Sequence, residues 1–164
     1  MNLYLDTSAL VKLYVAEEGS AQVRIAFQQA VLAMTSTLTF AEVQSALAKK
    51  LRTGEIAERE YEMARGLFNE SWPGFFTLSP RIEIIEAAAS LIHKYRALSL
   101  RAYEAVQLAS ALELQSYLPN GVAIGTPAGV EVQASGPVVF LSADDAQVAA
   151  ASQEGLQIQH IRLE

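Results

Sequence analysis

The chain alternates between short apolar runs and longer stretches in which apolar residues recur every three or four positions. Residues 2–5, NLYL, form an apolar run closed by Asp6. The stretch TSALVKLYVAEEG follows with Ala9, Leu10, Leu13 and Tyr14 at helical spacing, and Thr7 and Ser8 are good N-cap types. A second helix is predicted from Ser20 to about Ala30, and VLAMTST at 31–37 reads as a strand with β-branched ends. Thr39 followed by Glu42 has the form of a capping box, opening a helix that Gly54 stops. Residues 57–70 continue helically until Trp72-Pro73-Gly74 breaks the chain before a strand, FFTLS, at 75–79. Pro80 opens a long helix whose predicted buried stripe is Ile82, Ile85, Ala89 and Ile92. A further helix runs from about Arg101 to Tyr117, with Ala105, Leu108, Ala109 and Leu112 on its apolar side.

Residues 119–137 stand apart, rich in proline and glycine with Glu131 as their single charge. They read as a long loop or a hairpin insertion, with VAIG and VEVQ as its arms. VVFL at 138–141 is a fully apolar strand, followed by Ser142-Ala143-Asp144-Asp145, a helix to about Glu154, a stop at Gly155 and a last alternating strand, LQIQHI. Strands alternating with helices predict an α/β fold, with a mainly parallel sheet of about four to five strands flanked by helices. A length of 164 residues fits a single domain over 1–164.

Composition narrows the chemistry. Hydrophobic residues are 51% and charged residues 18%, too apolar for a disordered chain. There is no cysteine, which excludes disulfide scaffolds, thiolate zinc sites and thiol nucleophiles. His93 and His160 are the two histidines, too few for a histidine-based zinc site and each expected to be a partly buried structural residue. No run approaches the roughly 18 apolar residues of a membrane span. The opening residues lack a basic region of the kind that begins a signal peptide, so a cytoplasmic protein is expected. The net charge of −6 argues against bulk coating of nucleic acid, but leaves room for a local basic patch beside an acidic centre.

Ligands of open α/β sheets bind beyond the carboxyl ends of the strands. Asp6 and Asp144 fall at that edge, and Glu42 and Glu104 fall in the first turns of two helices. Converging carboxylates repel unless a cation neutralises them, and an all-oxygen set suits Mg2+ or Mn2+. Such ions serve phosphodiester hydrolysis by activating water and stabilising phosphoryl charge. Structural readings compete. Glu42 can complete its capping box, Asp144 can be an N-cap, and Glu104 can be a first-turn acid favoured by the helix dipole. Asp6 alone has no evident capping duty.

Four segments, LYLDTSALVKLY, STLTFAEVQSAL, LRAYEAVQLASALEL and VVFLSADDAQVAAASQEGL, together resemble in order and spacing PIN-domain ribonucleases, above all the VapC toxins of bacterial VapBC toxin–antitoxin pairs. The resemblance covers nearly the whole chain outside 119–137. It implies a parallel sheet with an acidic pocket at its carboxyl edge and Mg2+- or Mn2+-dependent cleavage of single-stranded RNA. It implies Asp6, Glu42, Glu104 and Asp144 as catalytic metal ligands, with Ser8 orienting Asp6 and Ser142 beside Asp144. It also implies RNA, a VapB-like antitoxin and a second copy of the chain as partners. One position departs: the family usually has aspartate where this chain has Glu104. Glutamate keeps the charge and adds a methylene, so Glu104 reads either as a ligand or as the mark of an impaired site that only binds RNA or protein. Phosphoryl transfer through Asp6 as nucleophile ranks below both, since that chemistry usually wants a second acid where Ser8 stands.

Basic residues concentrate in the middle of the chain. Lys49, Lys50 and Arg52, two turns beyond Glu42, are the first candidates for RNA phosphate contacts. Arg59 and Arg65 alternate with glutamates as on a solvated helix face. Apolar stripes through Val43, Leu47 and Leu51 and through Tyr61, Ala64 and Phe68 admit two readings. One is the clip that the resemblance assigns to the antitoxin, the other packing on the domain's own sheet. Trp72 reads as a core or corner aromatic.

Overall fold

The computed structural model describes residues 1–125, 129 and 131–161. In chain order the elements are β1 (Asn2–Leu5), α1 (Thr7–Val11), α2 (Ser20–Gln28), β2 (Leu32–Ser36), α3 (Thr39–Arg52), α4 (Glu58–Ser71), β3 (Phe76–Leu78), α5 (Ile82–Lys94), α6 (Ala102–Tyr117), β4 (Val122–Gly125), β5 (Glu131–Ala134), β6 (Val138–Ser142), α7 (Asp145–Gln153) and β7 (Gln157–His160). Five strands form one parallel sheet in the order β3-β2-β1-β6-β7. The chain builds outward from β1 to β3 and then returns to place β6 on the other side of β1. The order therefore reverses between β1 and β6, which is where open sheets of this kind leave a crevice at their carboxyl ends.

Side chains of successive strand residues point to opposite faces, and the two faces bury two different sets. Leu3, Leu5 and Leu141 pack under α1–α4. Tyr4, Met34 and Phe140 pack under α5–α7, where the Tyr4 and Phe140 rings stack at 5.6 Å. Both faces being covered explains why NLYL and VVFL read as continuous apolar runs. Helix α6 is buried almost all round from Glu104 to Ala111, so it carries little amphipathic signal. Residues 119–137 contain the expected hairpin: β4 and β5 pair antiparallel as a separate two-stranded sheet, while 126–128 and 130 lie outside the described residues. Among the described residues no helix is long and apolar enough to cross a membrane.

Several expectations change. The buried face of α5 is Ile84, Ala88 and Leu91, while Ile82, Ile85 and Ala89 face outward and Ile92 is half-buried. The helix is apolar on more than one side, so periodicity alone could not choose the face that meets α6. Val43, Leu47, Ala64 and Phe68 belong to the domain's own core, and Leu51 and Tyr61 pack against it, which decides against those residues as a free clip. What α3 and α4 leave exposed is Phe40, Met63 and Leu67. His93 is exposed rather than partly buried. His160 is exposed as well and its ring contacts Asp145 at 3.0 Å. Trp72 is half-buried among Phe40, Phe68 and Phe75, a corner aromatic as expected.

Two glycines separate backbone strain from steric fit. Gly19 (φ +81°) and Gly155 (φ +83°) both sit in the left-handed region. A Cβ at Gly155 meets open space, whereas one at Gly19 would lie 2.3 Å from Cγ2 of the buried Ile161. Gly155→Ala should lose about 1 kcal/mol from left-handed strain alone. Gly19→Ala should lose that plus at least about 1 kcal/mol of overpacking. Urea unfolding of the two variants checks the difference, and equal losses would refute it.

A candidate metal centre at the carboxyl edge of the sheet

Asp6 ends the central strand, and the backbone beyond it turns into α1. Its backbone N–H donates to Leu141 O at 3.2 Å, extending the β1–β6 pairing by one residue. Its carboxylate is 4% exposed and is surrounded by donors. Oδ1 accepts from Ala9 N–H at 2.9 Å and from the Ser8 hydroxyl at 2.8 Å, and Ser142 Oγ lies 3.0 Å from Oδ2. Asp6 is thus the N-cap of α1, a duty that the sequence did not reveal and that Thr7 and Ser8 do not perform. Burial, only partly offset by these hydrogen bonds, raises its pKa to about 6.

Asp144 arrives on the strand next door. It caps α7 by accepting from Gln147 N–H at 2.8 Å, so its structural reading is correct and coexists with its place at the edge. Glu104 lies on the first turn of α6 and is 4% exposed. Its Oε2 accepts from the Arg101 backbone N–H at 2.8 Å, the reach-back of a capping box. Its Oε1 meets the Arg101 guanidinium, with Nε at 2.7 Å and Nη2 at 2.5 Å. The same Nη2 stands 3.8 Å from Asp144 Oδ2.

A cleft of about 330 Å³ is lined by Asp6, Ser8, Glu104 and Asp144, with Lys49 and Arg101 on its walls. Glu42 is one partner removed. Its Oε2 accepts from Thr7 Oγ1 and from Gln107 Nε2, both at 2.6 Å, and those two residues line the cleft. The capping box expected from Thr39 does not form, because Thr39 lies inside α3 and its buried hydroxyl bonds Thr35 and Gln107. Lys50 also lines the cleft but is engaged by Glu17 at 2.5 Å and Glu55 at 3.1 Å. Arg52 is exposed near the end of α3 and does not line the cleft.

Two glutamines that the sequence reading passed over hold these parts together. Gln107 donates to Glu42 and Thr39 and accepts from Tyr4 OH at 2.7 Å. Gln147 Oε1 lies 2.9 Å from Ser142 Oγ, and its Nε2 donates to the Glu104 carbonyl at 3.0 Å. A glutamine at i+3 from Glu104 within an otherwise apolar helix, in AVQLASA, was the available signal.

Among the described residues no three acidic or histidine side chains already stand together as a metal cage. The donor set nonetheless fits a hard divalent cation. Three carboxylates and the Ser8 hydroxyl open on one cleft, and a cationic group already reaches two of the acids.

An open parallel sheet with a cleft at its topological switch point is the α/β architecture that binds ligands beyond the carboxyl ends of its strands. The PIN domain family profile matches residues 3–118, and the chain belongs to the PIN-domain family. It is 34% identical over 113 residues to two Mycobacterium tuberculosis proteins, Ribonuclease VapC45 and Ribonuclease VapC49, covering 67% of this chain and 74% of each of them. Among solved structures the fold is similar to Mycobacterium tuberculosis VapC20, a Sarcin-Ricin loop cleaving toxin (TM-score 0.55, 13% identity, 69% of this chain and 83% of that one). It is also similar to FitAB bound to a DNA fragment (TM-score 0.62, 12% identity, 99% of this chain and 97% of that one).

The buried Asp6 gives a pH signature. Its pKa rises from 3.8 unfolded to about 6 folded, so its contribution to stability is present at low pH and is lost as pH rises through about 6. In EDTA, the unfolding free energy of the wild type relative to Asp6→Asn should therefore fall by about 2 kcal/mol between about pH 4.5 and 7.5. Parallel pH profiles in urea titrations would contradict this.

Proposed function

We propose that this chain, read as one PIN-like domain over 1–164, is a divalent-metal-dependent endoribonuclease that cleaves single-stranded regions of RNA and is the toxin of a toxin–antitoxin pair. The observation that carries the reading is the gathering of Asp6, Glu104 and Asp144 on one cleft at the strand-order switch of a PIN-family sheet. The 34% identity to two VapC ribonucleases supports the reaction class.

Asp6, Glu104 and Asp144 are the residues that would hold Mg2+ or Mn2+, with Glu42 held close by through Thr7 and Gln107. A bound divalent ion would neutralise the clustered carboxylates and supply Lewis-acid activation of water and phosphate. Ser8 and Ser142 keep the Asp6 carboxylate aimed, and with its pKa near 6 Asp6 is mainly ionised at neutral pH, ready to serve as a ligand. Lys49, with no ion pair among the described residues, is the wall residue best placed to take a backbone phosphate. Lys50 and Arg52 are weaker candidates, the first because Glu17 and Glu55 already neutralise it. The products would carry 5′-phosphate and 3′-hydroxyl ends, and an RNA substrate places the work in the cytoplasm.

The antitoxin surface in this reading is the apolar exposure of Phe40, Met63 and Leu67 on α3 and α4. The homodimer would use the outward face of α5 at Ile82 and Ile85. A second reading, a PIN-like module that binds RNA or protein without cutting it, is favoured by one observation: both oxygens of Glu104 are engaged by Arg101.

Purified protein freed of antitoxin, incubated with a mixed RNA pool, should cut in Mn2+ or Mg2+ and not in EDTA. Asp6→Ala should lower the rate by at least about 100-fold, the scale of a misassembled site. Cutting that persists in EDTA would refute metal dependence, and folded wild type that binds RNA but never cuts it would establish the binding module. For the antitoxin surface, Met63→Lys with Leu67→Lys should weaken capture of the antitoxin at least about tenfold by calorimetry, while leaving the melting temperature near that of wild type. Unchanged capture would place the antitoxin elsewhere.

A further inference from the structure

The acidic cleft already contains a cation, and the chain itself supplies it. Arg101 engages both oxygens of Glu104, Oε2 through its backbone N–H and Oε1 through its guanidinium, and it extends to within 3.8 Å of Asp144. The pairing is asymmetric. The Glu104 side chain is 5% exposed, whereas that of Arg101 is 63% exposed, so a surface cation reaches inward to neutralise a buried acid. Without such a partner, Glu104 would be a desolvated charge close to a second carboxylate.

In the same position the guanidinium has one further partner. It lies over the Tyr103 ring at 5.1 Å, and that ring is itself partly exposed. The length of Glu104 matters as well. Reaching back from the third helical position to the N-cap N–H is a property of glutamate and glutamine, so the extra methylene is what lets residue 104 close on residue 101.

We propose that Arg101 is a built-in counter-ion of the site, an internal cation that competes with a divalent ion for Glu104 and Asp144 and must release them for the ion to bind. The inference rests on the reading of the cleft as a divalent-cation site. It makes two consequences inseparable. Removing the guanidinium frees two carboxylates for the ion, and it leaves the metal-free protein with an uncompensated buried acid.

Calorimetric titration of Mn2+ into EDTA-stripped, full-length protein tests both, alongside melting temperatures with and without Mn2+. Arg101→Gln should bind Mn2+ about fivefold tighter than wild type, the upper scale of an ion pair with one exposed member. It should also melt lower than wild type without metal and recover more of its melting temperature when Mn2+ is added. Arg101→Lys keeps the charge without the planar fork and should fall between the two, which preserves the test if Arg101→Gln does not fold. Adding Glu104→Gln to either variant should erase its affinity gain, because the pair acts as one unit. Mn2+ binding by Arg101→Gln or Arg101→Lys that equals or falls below wild type would overturn the counter-ion role alone. No Mn2+ binding by any of the proteins would overturn this inference together with metal dependence.

Discussion

A carboxylate buried at the end of the central strand sets the terms for everything around it. Asp6 is drawn out of water by the strand that precedes it, and its charge is costly there unless donors meet it. Those donors come from two directions, Ser8 and Ala9 from the turn into α1 and Ser142 from the end of β6. The pairing of β1 with β6 is therefore fixed at this edge by side chains as well as by the backbone ladder. Ser142 also accepts from Asp144 N–H, so the demand of one acid for hydrogen bonds places the next.

The same logic extends inward through the two glutamines. Gln147 joins β6 to the first turn of α6 at Glu104, and Gln107 joins α6 to Glu42 and to Tyr4 at the middle of the sheet. Neutral amides can donate and accept at once, which lets them bridge carboxylates and hydroxyls without adding charge. No buried side-chain polar atom among the described residues is left without a partner. A network satisfied to this degree holds acidic side chains at fixed places along the cleft, which is what a site for a charged ligand requires.

The sequence carried the frame of this arrangement and not its hydrogen bonding. β1 and β6 were legible because both faces of the sheet are covered, which leaves them uniformly apolar, and their final positions put Asp6 and Asp144 at one edge. The hairpin was legible from its two arms, VAIG and VEVQ, within a stretch rich in proline and glycine. The α5 stripe was misread because Ile82 and Ile85 are as hydrophobic as Ile84, and the deciding factor is contact with α6, a tertiary fact. Asp6 seemed to lack a structural role because a cap is recognised from the helix it begins, and α1 is five residues long. Thr39 with Glu42 matched a capping box by spacing, yet the helix begins at Thr39 itself and Glu42 turns to Thr7 and Gln107, partners distant in sequence. Local patterns report local partners, and the cleft is made of non-local ones.

The central claim is that the cleft between Asp6, Glu104 and Asp144 is where this protein takes up a divalent ion. Anomalous diffraction from crystals of the full chain soaked in Mn2+ tests it most directly. The account predicts a manganese peak in that cleft, in contact with Asp6 and Asp144 and absent from crystals of Asp6→Ala. Manganese bound only elsewhere, or a cleft that stays empty at saturating Mn2+, would contradict it.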